Sequence, residues 1–140
     1  MGNALKTNPL KILIVEDEAI IAMEIKERLE SRGWVVCGTA ITGDEAVRLA
    51  ETTCPDAVLM DITLKGGRDG FDTAREIRSR FGTPVVFITA SLSTDVLSRL
   101  GESESPKWVS KPFDEKDLFA ALEEAVALSG AAPGRLRTEG

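Results

Sequence analysis

Apolar residues in this chain gather in short blocks, and four of the blocks end on a chemically potent residue. Lys11-Ile12-Leu13-Ile14-Val15 runs into Glu16-Asp17-Glu18, and Ala57-Val58-Leu59-Met60 ends on Asp61. Pro84-Val85-Val86-Phe87-Ile88 ends on Thr89, and Trp108-Val109-Ser110 ends on Lys111-Pro112. Short runs rich in Val and Ile, with helix-length segments between them, predict strands buried on both faces, as parallel strands are. Trp34-Val35-Val36-Cys37-Gly38 supplies one more strand.

The intervening segments carry helical periodicity. The first predicted helix covers about 18–31, with Ile21, Ile25 and Leu29 on one face and Gly33 as its C′ residue. Thr42-Gly43-Asp44-Glu45 is a capping box that opens the second, which turns Ala46, Leu49 and Ala50 to the core. A loop with three glycines, Gly66, Gly67 and Gly70, precedes a third helix near 71–81, whose apolar face is Phe71, Ala74 and Ile77. A fourth lies near 93–100, where Ser93, Thr94 and Asp95 favour a cap. Asp114 caps the fifth, which runs to about Leu128 and stops at Gly130. Residues 1–9 read as a leader, 10–129 as one domain and 130–140 as a disordered tail.

Parallel strands joined by helices need right-handed crossovers. The expected fold is therefore α/β: a flavodoxin-like, doubly wound sheet of five parallel strands in the order 2-1-3-4-5, with five helices. Ligands in such sheets bind beyond the carboxyl ends of the strands, at the switch point. Here that point lies between Glu16-Asp17 and Asp61, with Thr89 and Lys111 beside it.

Three carboxylates in one crevice are costly. A pair about 5 Å apart repels by about 3 kcal/mol at an effective dielectric near 20. Lys111 is one compensating charge, too few for three. Oxygen donors without His or Cys favour Mg²⁺, or Mn²⁺, over zinc. Such a cation would hold a phosphoryl group against Asp61, with Lys111 and the Thr89 hydroxyl neutralising its oxygens. An acyl phosphate on Asp61 is the expected product.

Composition narrows the chemistry further. The chain has 140 residues, a formal charge of -6 and no histidine. A Ser-His-Asp triad, a His-ligated metal and a phosphohistidine on this chain are all excluded. No basic cluster lies along a predicted face, so direct nucleic-acid binding is not expected. No apolar stretch approaches a bilayer span and no signal-peptide pattern opens the chain, so a cytoplasmic protein without membrane contact is expected. The two cysteines, Cys37 and Cys54, lack any metal-ligand spacing and read as small apolar residues.

Ile14-Val15-Glu16-Asp17-Glu18, Leu59-Met60-Asp61, Ile88-Thr89-Ala90 and Ser110-Lys111-Pro112-Phe113 together resemble the receiver domain of bacterial response regulators, in the right order over about 10–129. The resemblance implies that Asp61 is the phosphoacceptor, Asp17 a direct Mg²⁺ ligand and Glu16 a ligand through metal-bound water. It implies that Thr63 lends its backbone carbonyl to the metal and that Lys111 pairs with the phosphate, followed by a cis peptide at Pro112. Thr89 would be the switch hydroxyl and Trp108 would fill the aromatic switch position, more often Tyr or Phe in the family. A histidine kinase or phosphotransfer protein would donate the phosphoryl group. A downstream protein would dock on the helix 4–strand 5–helix 5 face, the chain being a monomer or weak dimer.

Two other readings stay open. A receiver-shaped interaction module would work without phosphate, yet would be expected to have lost Asp61, Asp17 or Lys111. An aspartyl-phosphate hydrolase of the haloacid-dehalogenase kind would carry a second Asp two places after the nucleophile, where this chain has Thr63.

Overall fold

A computed structural model describes residues 9–64, 69–90, 93–102 and 108–129. Five strands, β1 (Lys11–Val15), β2 (Val35–Ala40), β3 (Ala57–Asp61), β4 (Val85–Thr89) and β5 (Trp108–Ser110), form one sheet. Every pairing is parallel and the order is β2-β1-β3-β4-β5, as the pattern predicts. The helices are α1 (Ala19–Ser31), α2 (Gly43–Thr53), α3 (Gly70–Phe81), α4 (Thr94–Glu102) and α5 (Glu115–Leu128).

The strands sort their side chains by the period-2 pleat. Ile12, Ile14, Leu59, Val86 and Ile88 pack with Ile25 and Leu29 of α1 and Leu118 and Leu122 of α5. Leu13, Val15, Val58, Met60, Val85 and Phe87 point the other way, to Ala46 and Ala50 of α2, Ala74 and Ile77 of α3 and Leu100 of α4. Both faces are thus covered, which explains why these strands are unbroken apolar runs.

Some boundaries move for local reasons. β2 begins one residue later than expected and reaches Ala40, because the ladder with β1 continues to the Val15–Ala40 pair. The register slips between Ile12 and Leu13, where Val36 and then Gly38 are the partners, so that Cys37 has none in the ladder. Trp34 lies outside the strand and meets Phe119 edge-on, with ring centroids 5.4 Å apart.

The caps follow the same logic. Thr42 Oγ1 accepts from the Glu45 amide at 3.2 Å, but Glu45 Oε1 accepts from Ile41, one residue ahead of the cap, at 3.0 Å. Gly33 adopts φ +94°, the left-handed conformation expected of it. Asp114 stands at the N-cap of α5 without making a side-chain cap bond, whereas Asp69 caps α3 by accepting from the Asp72 amide at 2.8 Å. Ser93 Oγ accepts from Val96 at 3.2 Å, which starts α4 where the cap signal lay. Cys37 is half-buried, but Cys54 is exposed rather than packed, and both are free thiols. The leader through residue 8, Gly66-Gly67, Gly130 and the tail lie outside the described residues.

Candidate functional site

The acidic crevice forms because strand hydrogen bonding carries each residue to the sheet's carboxyl edge. The Glu16 amide still donates to Ala40 O at 2.9 Å, holding Glu16 in line with β1. Asp61 is the last residue of β3, and the next amide, that of Ile62, donates to Ile88 O at 3.1 Å. Lys111 follows β5, its amide donating to Thr89 O at 2.7 Å. Backbone pairing alone therefore sets Glu16, Asp61, Thr89 and Lys111 along one edge.

Their side chains converge. Lys111 Nζ donates to Glu16 Oε1 at 3.1 Å and to Asp61 Oδ2 at 3.3 Å. Asp61 Oδ1 accepts from both the amide and the hydroxyl of Thr63, at 3.0 and 3.1 Å. Glu16 Oε2 accepts from the Glu18 amide at 3.2 Å. Glu16 and Asp61 are 1% and 3% exposed, so water screens neither. Asp17 is half-buried, and carboxylate oxygens of Glu16, Asp17 and Asp61 all lie within 4.8 Å of one another.

One ammonium cannot balance these charges. Burial and the neighbouring Asp61 carboxylate raise the pKa of Glu16 from 4.5 to about 7, although Lys111 pulls it down. Burial alone would lower the pKa of Lys111, but Asp61 and Glu16 outweigh it, so the side chain stays an ammonium ion. The described residues of the crevice thus set three hard oxygen donors around one ammonium, and one of the donors is reachable from solvent. That donor set fits a small divalent cation.

Thr89 is buried at the end of β4, 1% exposed, on the strand next to Asp61. Trp108 begins β5, pairs in register with Phe87 and is 39% exposed. The Lys111–Pro112 peptide is cis.

Two features escape a reading of the sequence. Thr63 grips Asp61 through its own amide and hydroxyl, a two-residue turn contact that no spacing announces. Gly70 opens α3 against the acceptor strand, where an added Cβ would lie 2.6 Å from Asp61 O and 3.0 Å from Ile62 Cα. The Asp69-Gly70 pair, a cap residue followed by glycine, was the available signal for it.

A family profile described as the response regulator receiver domain matches residues 12–123. The transcriptional regulatory protein PdtaR of Mycobacterium tuberculosis is 41% identical over 119 residues, which are 85% of this chain and 58% of that protein. The phyllosphere-induced regulator PhyR of Methylorubrum extorquens is 35% identical over 127 residues, 89% of this chain and 46% of that protein. The chain spans about half the length of these curated relatives. The signal receiver domain of a modulated diguanylate cyclase from Desulfovibrio desulfuricans G20 superposes with a TM-score of 0.82 at 32% identity, covering 88% of this chain and 98% of that one.

Proposed function

This chain belongs to the response regulator receiver family of two-component signalling, and from that membership we propose that it accepts a phosphoryl group on Asp61. The observation that carries the reading is a buried carboxylate held from both sides, by Lys111 Nζ at 3.3 Å and by the Thr63 donors at 3.0 and 3.1 Å. Two further carboxylates stand beside it.

Family membership implies a phosphohistidine donor, a histidine kinase or a phosphotransfer protein; the chain has no histidine of its own to serve. An Asp61 oxygen attacks phosphorus as the donor's N–P bond breaks, and the imidazole leaves with the electron pair. Lys111 follows the negative charge from carboxylate to phosphoryl oxygen. Thr89 donates its hydroxyl to another of those oxygens, and Thr63 keeps the carboxylate aimed. Mg²⁺ or Mn²⁺, held by Glu16, Asp17, Asp61 and the Thr63 carbonyl, would supply the remaining neutralisation.

The matched family consists of signalling domains rather than classical enzymes. Phosphorylation and dephosphorylation would be self-catalysed, and the output would be a change at the α4–β5–α5 face, with Thr89 and Trp108 as the moving side chains. That face would receive the downstream protein. No helix among the described residues is long and apolar enough to cross a membrane. A cytoplasmic monomer or weak dimer without membrane or nucleic-acid contact is part of the proposal. A hydrolase of the haloacid-dehalogenase kind would carry an Asp as general acid two places after Asp61. Thr63 holds that place, and its hydroxyl does not ionise near neutrality.

Incubation with Mg²⁺ and acetyl phosphate, read by intact mass after an acidic quench, tests the proposal. One added phosphoryl group on the native chain and none on Asp61→Ala is the expected result. If the native chain gains no mass and also fails to bind beryllofluoride, the constitutive interaction module replaces this reading.

A further inference from the structure

Helix α4 is thinly anchored. Among its described side chains only Leu100 is buried, with Val96 and Arg99 half-buried. Arg99 adds a polar tether. One of its terminal nitrogens, Nη2, donates to Asp69 Oδ2 at 3.0 Å, and its guanidinium carbon lies 4.2 Å from the centre of the Phe71 ring.

Both contacts end at the junction behind the acceptor. Asp69 caps α3, and its second oxygen accepts from the Asp72 amide at 2.8 Å. Gly70 sits so close to Asp61 O that no Cβ fits, and its amide donates to Ile62 O at 3.2 Å. Phe71 in turn packs on Phe87, with ring centroids 4.9 Å apart, two residues before Thr89 on β4. A single guanidinium on α4 therefore grips the two residues that flank Gly70, which lies against the acceptor backbone, and one of the two, Phe71, packs on the Thr89 strand.

We propose that Arg99 is a positioning residue that transmits the occupancy of Asp61 to α4 through Asp69 and Phe71. A half-exposed ion pair alone is weak. Here a cation–π contact is added to it, and both converge on one packed junction. Burial pushes the Asp69 carboxyl up, but the Asp72 amide and the Arg99 guanidinium outweigh it and hold the pKa below the ordinary value. The pair thus stays charged at any physiological pH. Lysine would keep the charge but lose the guanidinium over Phe71.

The link rests on the phosphoacceptor reading, and one experiment separates the two. Amide hydrogen exchange across Leu97 to Gly101 is measured in the wild type, Arg99→Ala, Arg99→Lys and Asp69→Asn, each with and without saturating beryllofluoride and Mg²⁺. Asparagine at 69 still caps α3 while removing the charge. In the unloaded protein, exchange rises about threefold or more in Arg99→Ala and Asp69→Asn, as expected for losing a contact of this class. On loading, the wild-type α4 amides change their protection. In these two variants that response falls to under about a third of the wild-type value, with Arg99→Lys between. Unloaded rates equal to wild type would refute the tether, and an undiminished loading response would refute the transmission. A wild type that fails to bind beryllofluoride would refute the phosphoacceptor reading itself, while the unloaded comparison still decides the tether.

Discussion

Glu16 and Asp61 draw on the same ammonium, and that sharing governs how the site responds to pH. The folded-state pKa of Glu16, about 7, lies above the 4.5 of the free side chain. Between those values the folded chain binds more protons than the unfolded one, so this group's contribution to stability falls as pH rises through the window. By pH 8 the ionised side chain costs on the order of a few kcal/mol. Urea midpoints at pH 5.5 and pH 8 should therefore diverge less in Glu16→Gln than in the wild type. Added Mg²⁺ should raise the wild-type midpoint more at pH 8 than at pH 5.5, where a proton already occupies Glu16. An equal effect at both pH values would place the cation elsewhere. Asp61, Glu16 and Lys111 were legible in the sequence because each ends or follows an apolar block. The Thr63 hydroxyl on Asp61 was not, since it depends on the turn after β3.

At the level of elements, the junction between β3 and α3 tolerates no side chain. A methyl group at position 70 would lie 2.6 Å from Asp61 O and 3.1 Å from Ile62 O, both backbone atoms with little freedom to retreat. Gly70→Ala should cost about 1–3 kcal/mol, the range for overpacking, and should slow labelling of Asp61 by acetyl phosphate. Wild-type labelling kinetics in that variant would show that the junction yields without moving the acceptor. Helix periodicity placed α1 and α3 within one residue, and the capping box marked the start of α2. It missed the Asp69 cap, because glycines upstream of it read simply as loop. It also stopped α4 short at residue 100, since the Gly101-Glu102 turn of the helix carries no apolar residue to extend the pattern.

The molecule as a whole is one sheet between two helical layers, and its stability lives in the central strands. Leu59 on β3 is fully buried in the α1–α5 layer, with β1 and β4 on either side. Leu59→Ala should destabilise by about 2–5 kcal/mol, read as a lower urea midpoint with an unchanged slope. Strand order and helical cover on both faces could be anticipated because unbroken apolar runs require it and crossovers have one hand. The slip opposite Cys37 could not. Val35, Val36 and Cys37 are compatible with either register, so nothing in their pattern announces the shift between Ile12 and Leu13.

The two indoles sit at opposite ends of this architecture, and the chain contains no tyrosine. Trp34 is 9% exposed on the α1–α5 side, against Phe119 and beneath the Arg32 guanidinium at 5.2 Å. Trp108 is 39% exposed on β5. Intrinsic fluorescence therefore has two separable sources: one reports whether the core is intact, the other what happens at the outer edge of the sheet. Trp34→Phe leaves Trp108 as the sole emitter, so the protein carries a native optical probe at the face proposed to change.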